Sequence, residues 1–358
     1  MRKITALVAG CLLAALIAAC GSSSGSSNVA PPPKNPNAPV SGTLHVFAYE
    51  DTVSDQLMKP FEKQNPNLNV QTATFNSDQE AATKLAGGFQ ADVVESCLDE
   101  INPLRQRNLL RPVDQSGIPD WSQLVFTDAK GVTENGNVYV TPGSAGPEGV
   151  IYNTQQVSGP ITSWKDLFDS KYKGRVALEG DYPLPAMAET ALALGIKDPM
   201  NMTPDQINQV KSYLEQHRDQ FRTLWHSDSE LVNLFKSGEV VIGDGGQGVA
   251  QRMIKDGIPV KWVPPKEGPI SWVCGLSMTS KAQNIAAAYR FINWQASAKA
   301  QAIRARDGYV VTNRAAMKLI PPKYQRTADP SILKNAIPET HPPHYSDWTS
   351  AFQAFQSG

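Results

Sequence analysis

Residues 239–254, EVVIGDGGQGVAQRMI, set a short β-branched run before a glycine-rich stretch and a helix-like segment after it. Glu239 to Ile242 reads as a strand, Gly243 to Gly248 as a loop and Val249 to Ile254 as a helix, because β-branched side chains suit a pleated strand and glycine interrupts regular structure. The same alternation runs along the chain on both sides. Upstream, Leu44, Val46 and Ala48 alternate with polar or exposed positions as in a half-buried strand. A helix from Ser54 follows, with Leu57 and Phe61 one turn apart and Pro60 inside it. Leu68 to Phe75 predicts a second strand, Ser77 and Glu80 predict a capped helix start, and Ala91 to Val94 predicts a third strand. Thr203-Pro204-Asp205-Gln206 opens another helix with Ile207, Val210 and Leu214 as its apolar stripe, and Ile285, Tyr289 and Ile292 mark a further one. From Pro321 onward prolines are frequent, with one short helix expected near Trp348 to Phe355. Alternating strands and helices of this kind define an α/β fold rather than a sandwich or a bundle.

Composition bounds the function. The 358 residues exceed one hydrophobic core and point to two domains. Hydrophobic residues at 41% and a net charge of −1 exclude a disordered chain and supply no positive field for nucleic acid.

Arg2 and Lys3 precede an apolar stretch, Ile4 to Ala19, that is too short to span a bilayer and ends at Cys20. This order resembles a bacterial lipoprotein signal, which implies removal of residues 1–19, lipid attachment at Cys20 and an exported chain held on the membrane, facing the periplasm or the exterior. Residues 20–41 are rich in serine, proline and glycine and read as a tether. Cys97 and Cys274 are the cysteines of the body, without metal-ligand spacing. Either they form a disulfide or they are two separate buried thiols.

Catalytic and cofactor motifs are weak. Gly243, Gly245 and Gly248 match the dinucleotide fingerprint, but no complete βαβ unit surrounds them and an exported chain has little access to NAD, so no cofactor is assigned. Bare amides at a helix N-terminus would still suit an anionic group. The histidines, His45, His217, His226, His341 and His344, lack the spacing of a zinc protease, so no metal is assigned, and Gly21-Ser22-Ser23-Ser24-Gly25 matches the nucleophile-elbow pattern without the strand before and helix after that make its serine reactive. Phe47-Ala48-Tyr49-Glu50-Asp51 and Ser271-Trp272, each beside a strand, are cleft candidates, since ligands of open α/β sheets sit at strand C-terminal ends.

Four ordered segments, SWKDLFDSKYKG at 163–174, SGEVVIG at 237–243, PKEGPISW at 265–272 and DGYVVTN at 307–313, give the chain a specific likeness. Across roughly residues 43–320 it resembles the extracellular solute-binding proteins of ABC importers, and among them the spermidine/putrescine-binding group. That resemblance implies a two-lobe periplasmic-binding-protein-like fold of type II, no catalysis, and a monomer that passes a small solute to a membrane permease. It implies a first lobe of residues 42–142 and 273–320, a second of 147–271, crossings near Pro142–Gly146 and Trp272–Gly275, and a C-terminal segment, 321–358, packed on either.

By the same likeness Tyr49, Asp51, Asp181, Trp272 and Tyr309 fall on or near ligand-contacting positions, with Glu50, Ser96, Gly246 and Cys274 beside them. Aromatic rings would take the methylene chain and cationic ends of a polyamine, and carboxylates its ammonium groups. The departures are Leu98 for a tyrosine, Gly246 where an indole would stack, and Cys274 where a carboxylate is expected. An ammonium buried without its counter-charge costs several kcal/mol, so the loss at 274 points as readily to another solute, an amino acid or an organic anion. An anchored secreted hydrolase and a receptor feeding a sensor are the remaining readings.

Overall fold

The computed structural model describes residues 29–358. Cys20 and the signal at 1–19 lie outside the described residues. One sheet runs through the molecule in the order Leu68–Thr74, Gly42–Ala48, Val93–Cys97, Ile270–Thr279, Thr141–Asn153, Ile242–Gly246, Val176–Glu179 and Phe221–Trp225. The first three strands are parallel, and so are the last three. Between these two parallel blocks stand two long strands, Ile270–Thr279 and Thr141–Asn153, antiparallel to each other and to their outer neighbours. The chain thus crosses between the blocks on adjacent, mutually hydrogen-bonded strands.

Each block carries apolar packing on both faces, as a parallel sheet requires. Gly42–Ala48 was expected to be half buried. It is covered twice, with Leu44, Val46 and Ala48 packed on Phe61, Phe291 and Trp294 and with Phe47 packed on Phe75 and Leu104. In the second block Val176 and Leu178 pack with Trp164 and Trp348, while Ala177 faces Trp225 and Phe235. Pro60 is accommodated inside the helix Asp55–Gln64, whose Leu57, Met58 and Phe61 are buried, so tertiary packing outweighs the lost backbone bond. Ser77 caps Asp78–Ala86 by accepting from the Glu80 amide at 3.3 Å, and Thr203 and Gln206 form a reciprocal capping box on Pro204–Gln216.

Two expectations need correction. The glycine stretch is a strand: Ile242–Gly246 pairs with Thr141–Asn153, and the helix begins at Gln247. Glycine at 243 is required by close approach, since a Cβ there would stand 3.0 Å from the Ala177 carbonyl oxygen. The amides expected to cradle an anion are therefore in a ladder. Next, the segment assigned to a tether joins the body from Ala30 onward. Ala30 is fully buried, its amide bonds the Pro112 carbonyl at 2.8 Å, and its carbonyl accepts from the Tyr289 hydroxyl at 2.7 Å. Its anchorage is by backbone groups and one small side chain, which composition does not register. The C-terminal segment, left open between the lobes, touches both blocks: Ala328 packs with Ala302 and Ala305 beside the first, and Trp348, Phe352 and Phe355 of the helix Tyr345–Ser357 enter the core of the second.

Candidate functional site

A cavity of about 170 Å³ lies between the blocks, at the C-terminal ends of their parallel strands. Tyr49, Glu50 and Asp51 follow Gly42–Ala48, Phe75 follows Leu68–Thr74, and Asp181 follows Val176–Glu179. The crossing strands supply Ser144, Glu148, Trp272 and Cys274. Glu339 comes from the C-terminal segment, held by its amide on the Ser271 carbonyl at 2.9 Å.

Aromatic walls are fixed by bare backbone. Trp272 lies against Gly146, where a Cβ would stand 2.8 Å from the indole, and meets Tyr309 edge-on with centroids 5.8 Å apart. Tyr49 packs edge-on against Phe75 and donates from its hydroxyl to Asp78 at 3.2 Å.

The carboxyl groups dominate the electrostatics. Asp51 is paired with Arg304 at 2.8 Å, and that guanidinium also donates to Thr52 at 2.6 Å. Asp228 is paired with Arg252. Among the described residues none of the others forms an ion pair, although the charge of Arg304 also acts on Glu95. Burial raises Glu95 to about 7, with the Asp51 charge adding, although Glu95 accepts from the Tyr49 amide at 3.2 Å and the Ser144 hydroxyl at 3.1 Å. Burial likewise raises Asp181 to about 7 and Glu148 to about 8, the latter helped by Asp244. Glu179 and Glu339 are pushed well above the usual glutamate range, burial first and neighbouring carboxylates second. Among the described lining residues only Arg252 and His226 can carry positive charge, and Arg252 is engaged by Asp228. The cleft therefore holds carboxyls that either keep protons near neutral pH or ionise when a cation arrives.

Of the residues singled out in the sequence, Tyr49, Glu50, Asp51, Asp181, Gly246, Trp272, Cys274 and Tyr309 line this cavity. Ser96 does not. Side chains alternate along Val93–Cys97, so Glu95 and Cys97 reach the cavity while Ser96 turns away, fully buried with its hydroxyl 3.4 Å from that of Ser277. Cys97 and Cys274, directly opposite on paired strands, form a disulfide in the cavity wall. Asp78, Cys97 and Asp99 converge as metal ligands do, but that sulfur is committed to the bridge. Asp244 lies below the cavity surface and holds the Glu179 amide at 2.9 Å and the Trp225 indole at 2.8 Å. Sequence reasoning missed Glu95, Glu148, Glu179 and Glu339. Glu95 and Glu179 sit at or near strand C-terminal ends and could have been found from that position; Glu339, in a proline-rich tail, carries no local signal.

Two parallel α/β blocks joined by long crossing strands, with a cleft between them, define the class of type II periplasmic binding proteins. The pattern described as bacterial extracellular solute-binding protein matches residues 56–332, and the chain belongs to that family. Spermidine/putrescine-binding periplasmic protein 1 of Haemophilus influenzae is 27% identical over 343 residues, which is 94% of this chain and 92% of that protein. A putative spermidine/putrescine ABC transporter from Listeria monocytogenes superposes with a TM-score of 0.79 at 23% identity, covering 88% of this chain and 99% of that one. MotA from A. tumefaciens B6, solved in complex with glucopine, superposes with a TM-score of 0.75 at 18% identity over 88% and 100% of the two chains. The protein is a substrate-binding protein of an ABC importer and not an enzyme, and its homologues are periplasmic or extracellular. Among the described residues no helix is long and apolar enough to cross a membrane.

Proposed function

We infer that the protein captures a small cationic solute of the polyamine type in this cleft and delivers it to an ABC permease from a lipid-anchored position. The observation that carries the reading is the set of cavity carboxyls without cationic partners among the described residues, Glu148, Glu179, Asp181 and Glu339, beside the aromatic walls Trp272 and Tyr309. A diamine satisfies both, with methylenes against the rings and ammonium groups on the acids. The counter-charge missing at Cys274 is offset by these other carboxyls, and the same charge density disfavours an organic anion.

The domain reading is part of the proposal: residues 42–142 and 273–320 form one lobe, residues 147–271 the other, and 321–358 adds mainly to the second, supported by the separate apolar cores. Lipid attachment at Cys20 and a monomeric state complete the proposal, the first supported by the order of the opening twenty residues. Calorimetric titration of the purified protein with putrescine, spermidine, 4-aminobutyrate and succinate tests the solute. Binding confined to putrescine and spermidine is expected. Binding of succinate or 4-aminobutyrate with silence from both polyamines overturns the polyamine reading and keeps the receptor.

A further inference from the structure

Glu148 differs from the other carboxyls of the cleft. It stands on a crossing strand directly opposite Gly246, is 9% exposed, and its Oε2 has no hydrogen-bond partner among the described residues. Glu95 and Asp181, by contrast, each accept from backbone amides. Gly246 presents no side chain to it: a Cβ there would stand 3.3 Å from Oε1 and 3.8 Å from Oε2. The backbone does not demand glycine, because φ −67° and ψ 148° suit any L residue. What glycine provides is space over the carboxyl. Glu148, Gly246 and Trp272 line the same cavity, and Oε2 faces no donor among the described residues.

An unsatisfied buried oxygen beside bare backbone is a place for a donor that the protein does not itself supply. We propose that Glu148 and Gly246 form a specificity-determining subsite that seats one ammonium end of a diamine, Glu148 giving the counter-charge and Gly246 the room. This rests on the cationic-solute reading above. An ammonium brings three donors on a compact head, which matches a single carboxyl oxygen beside a gap of side-chain width. It also explains why the cleft tolerates Gly246 where an indole would stack: filling the position would cover the acid.

The test is calorimetric titration of the full chain with putrescine, on the natural protein and on Glu148→Gln, Glu148→Asp and Gly246→Val, with ligand-free thermal unfolding measured alongside. Loss of one partner of a buried charge pair predicts an affinity about thirtyfold weaker or worse for Glu148→Gln. Glu148→Asp, which keeps the charge one methylene further back, should recover part of that loss, and Gly246→Val should weaken binding while folding normally. If the natural protein binds putrescine and Glu148→Gln and Gly246→Val bind it equally well, the subsite is wrong and the cleft reading stands. If the natural protein binds neither putrescine nor spermidine, the cleft reading itself falls. Should Glu148→Gln fail to fold, Gly246→Val decides, since unchanged affinity there overturns the subsite.

Discussion

Asp51 and Glu148 line one cavity under opposite electrostatic conditions. Asp51 is one of the two acids that the sequence offered as ammonium ligands, and it is held by Arg304, a guanidinium that is almost completely buried. Glu148, which carried no signal in the sequence, has no cation against it and one oxygen with no donor. A position can keep its residue type while its charge is spent internally, and a neighbouring position can take over the exposed role. Residue identity reports which groups are present; partners report which of them a ligand can still use.

The contrast gives way most at Arg304. Arg304→Met removes the cation of a largely buried pair and leaves Asp51 and Glu95 facing each other, so unfolding free energy should fall by about 3–5 kcal/mol in a denaturant titration. A fall below about 1 kcal/mol would mean that Asp51 is as open as Glu148.

The second effect is a pH dependence. Glu95 and Asp181 at about 7 and Glu148 at about 8 are raised above their unfolded values, so the folded protein binds more protons than the unfolded chain between those limits. Stability without ligand is then fully present near pH 4 and declines as pH rises to about 8. Each group contributes up to ~1.4 kcal/mol to that decline for every pH unit separating its folded and unfolded pKa. Thermal unfolding from pH 5 to 9 should show this loss, and saturating putrescine should flatten it. A ligand-free profile that rises with pH would contradict the unpaired state of these acids.

Asp181→Asn should then reverse the pattern of Arg304→Met, with ligand-free stability equal or higher and putrescine affinity lower by about tenfold, or ~1.4 kcal/mol. Unchanged affinity with reduced stability would move Asp181 into the paired set. The smallest effect belongs to Ser96→Ala. Its hydroxyl faces Ser277 behind the cavity wall, so affinity should not change and stability should differ by no more than about 1 kcal/mol.

Much of the frame is legible in the sequence, because caps and apolar periodicity act locally: Ser77 and Thr203 start helices where expected, and Leu57 with Phe61 marks a buried face even around Pro60. What fails is local reading of residues whose structure is imposed from a distance. TPGSAGPEGVIYN at 141–153 has the prolines and glycines of a loop and is instead a 13-residue strand, almost wholly buried. Its glycines serve neighbours: rings of Trp272 and Trp262 lie where Cβ atoms of Gly146 and Gly149 would be, at 2.8 and 2.7 Å. Propensity yields there to pairing on both edges and to close aromatic approach. The same cause hid Glu148, which looks like a loop glutamate until the strand sets it opposite Gly246. Glu339 was hidden differently, since only the fold brings a tail beyond Pro321 back to Ser271.

The bridge between Cys97 and Cys274 also makes the protein a record of its own passage. Chains still on the reducing side of the membrane carry these cysteines as thiols, whereas folded chains on the oxidising side do not. Blocking free thiols at the moment of lysis and weighing the peptides that contain Cys97 and Cys274 would therefore count exported against retained molecules in a single culture, with no tag added to the chain.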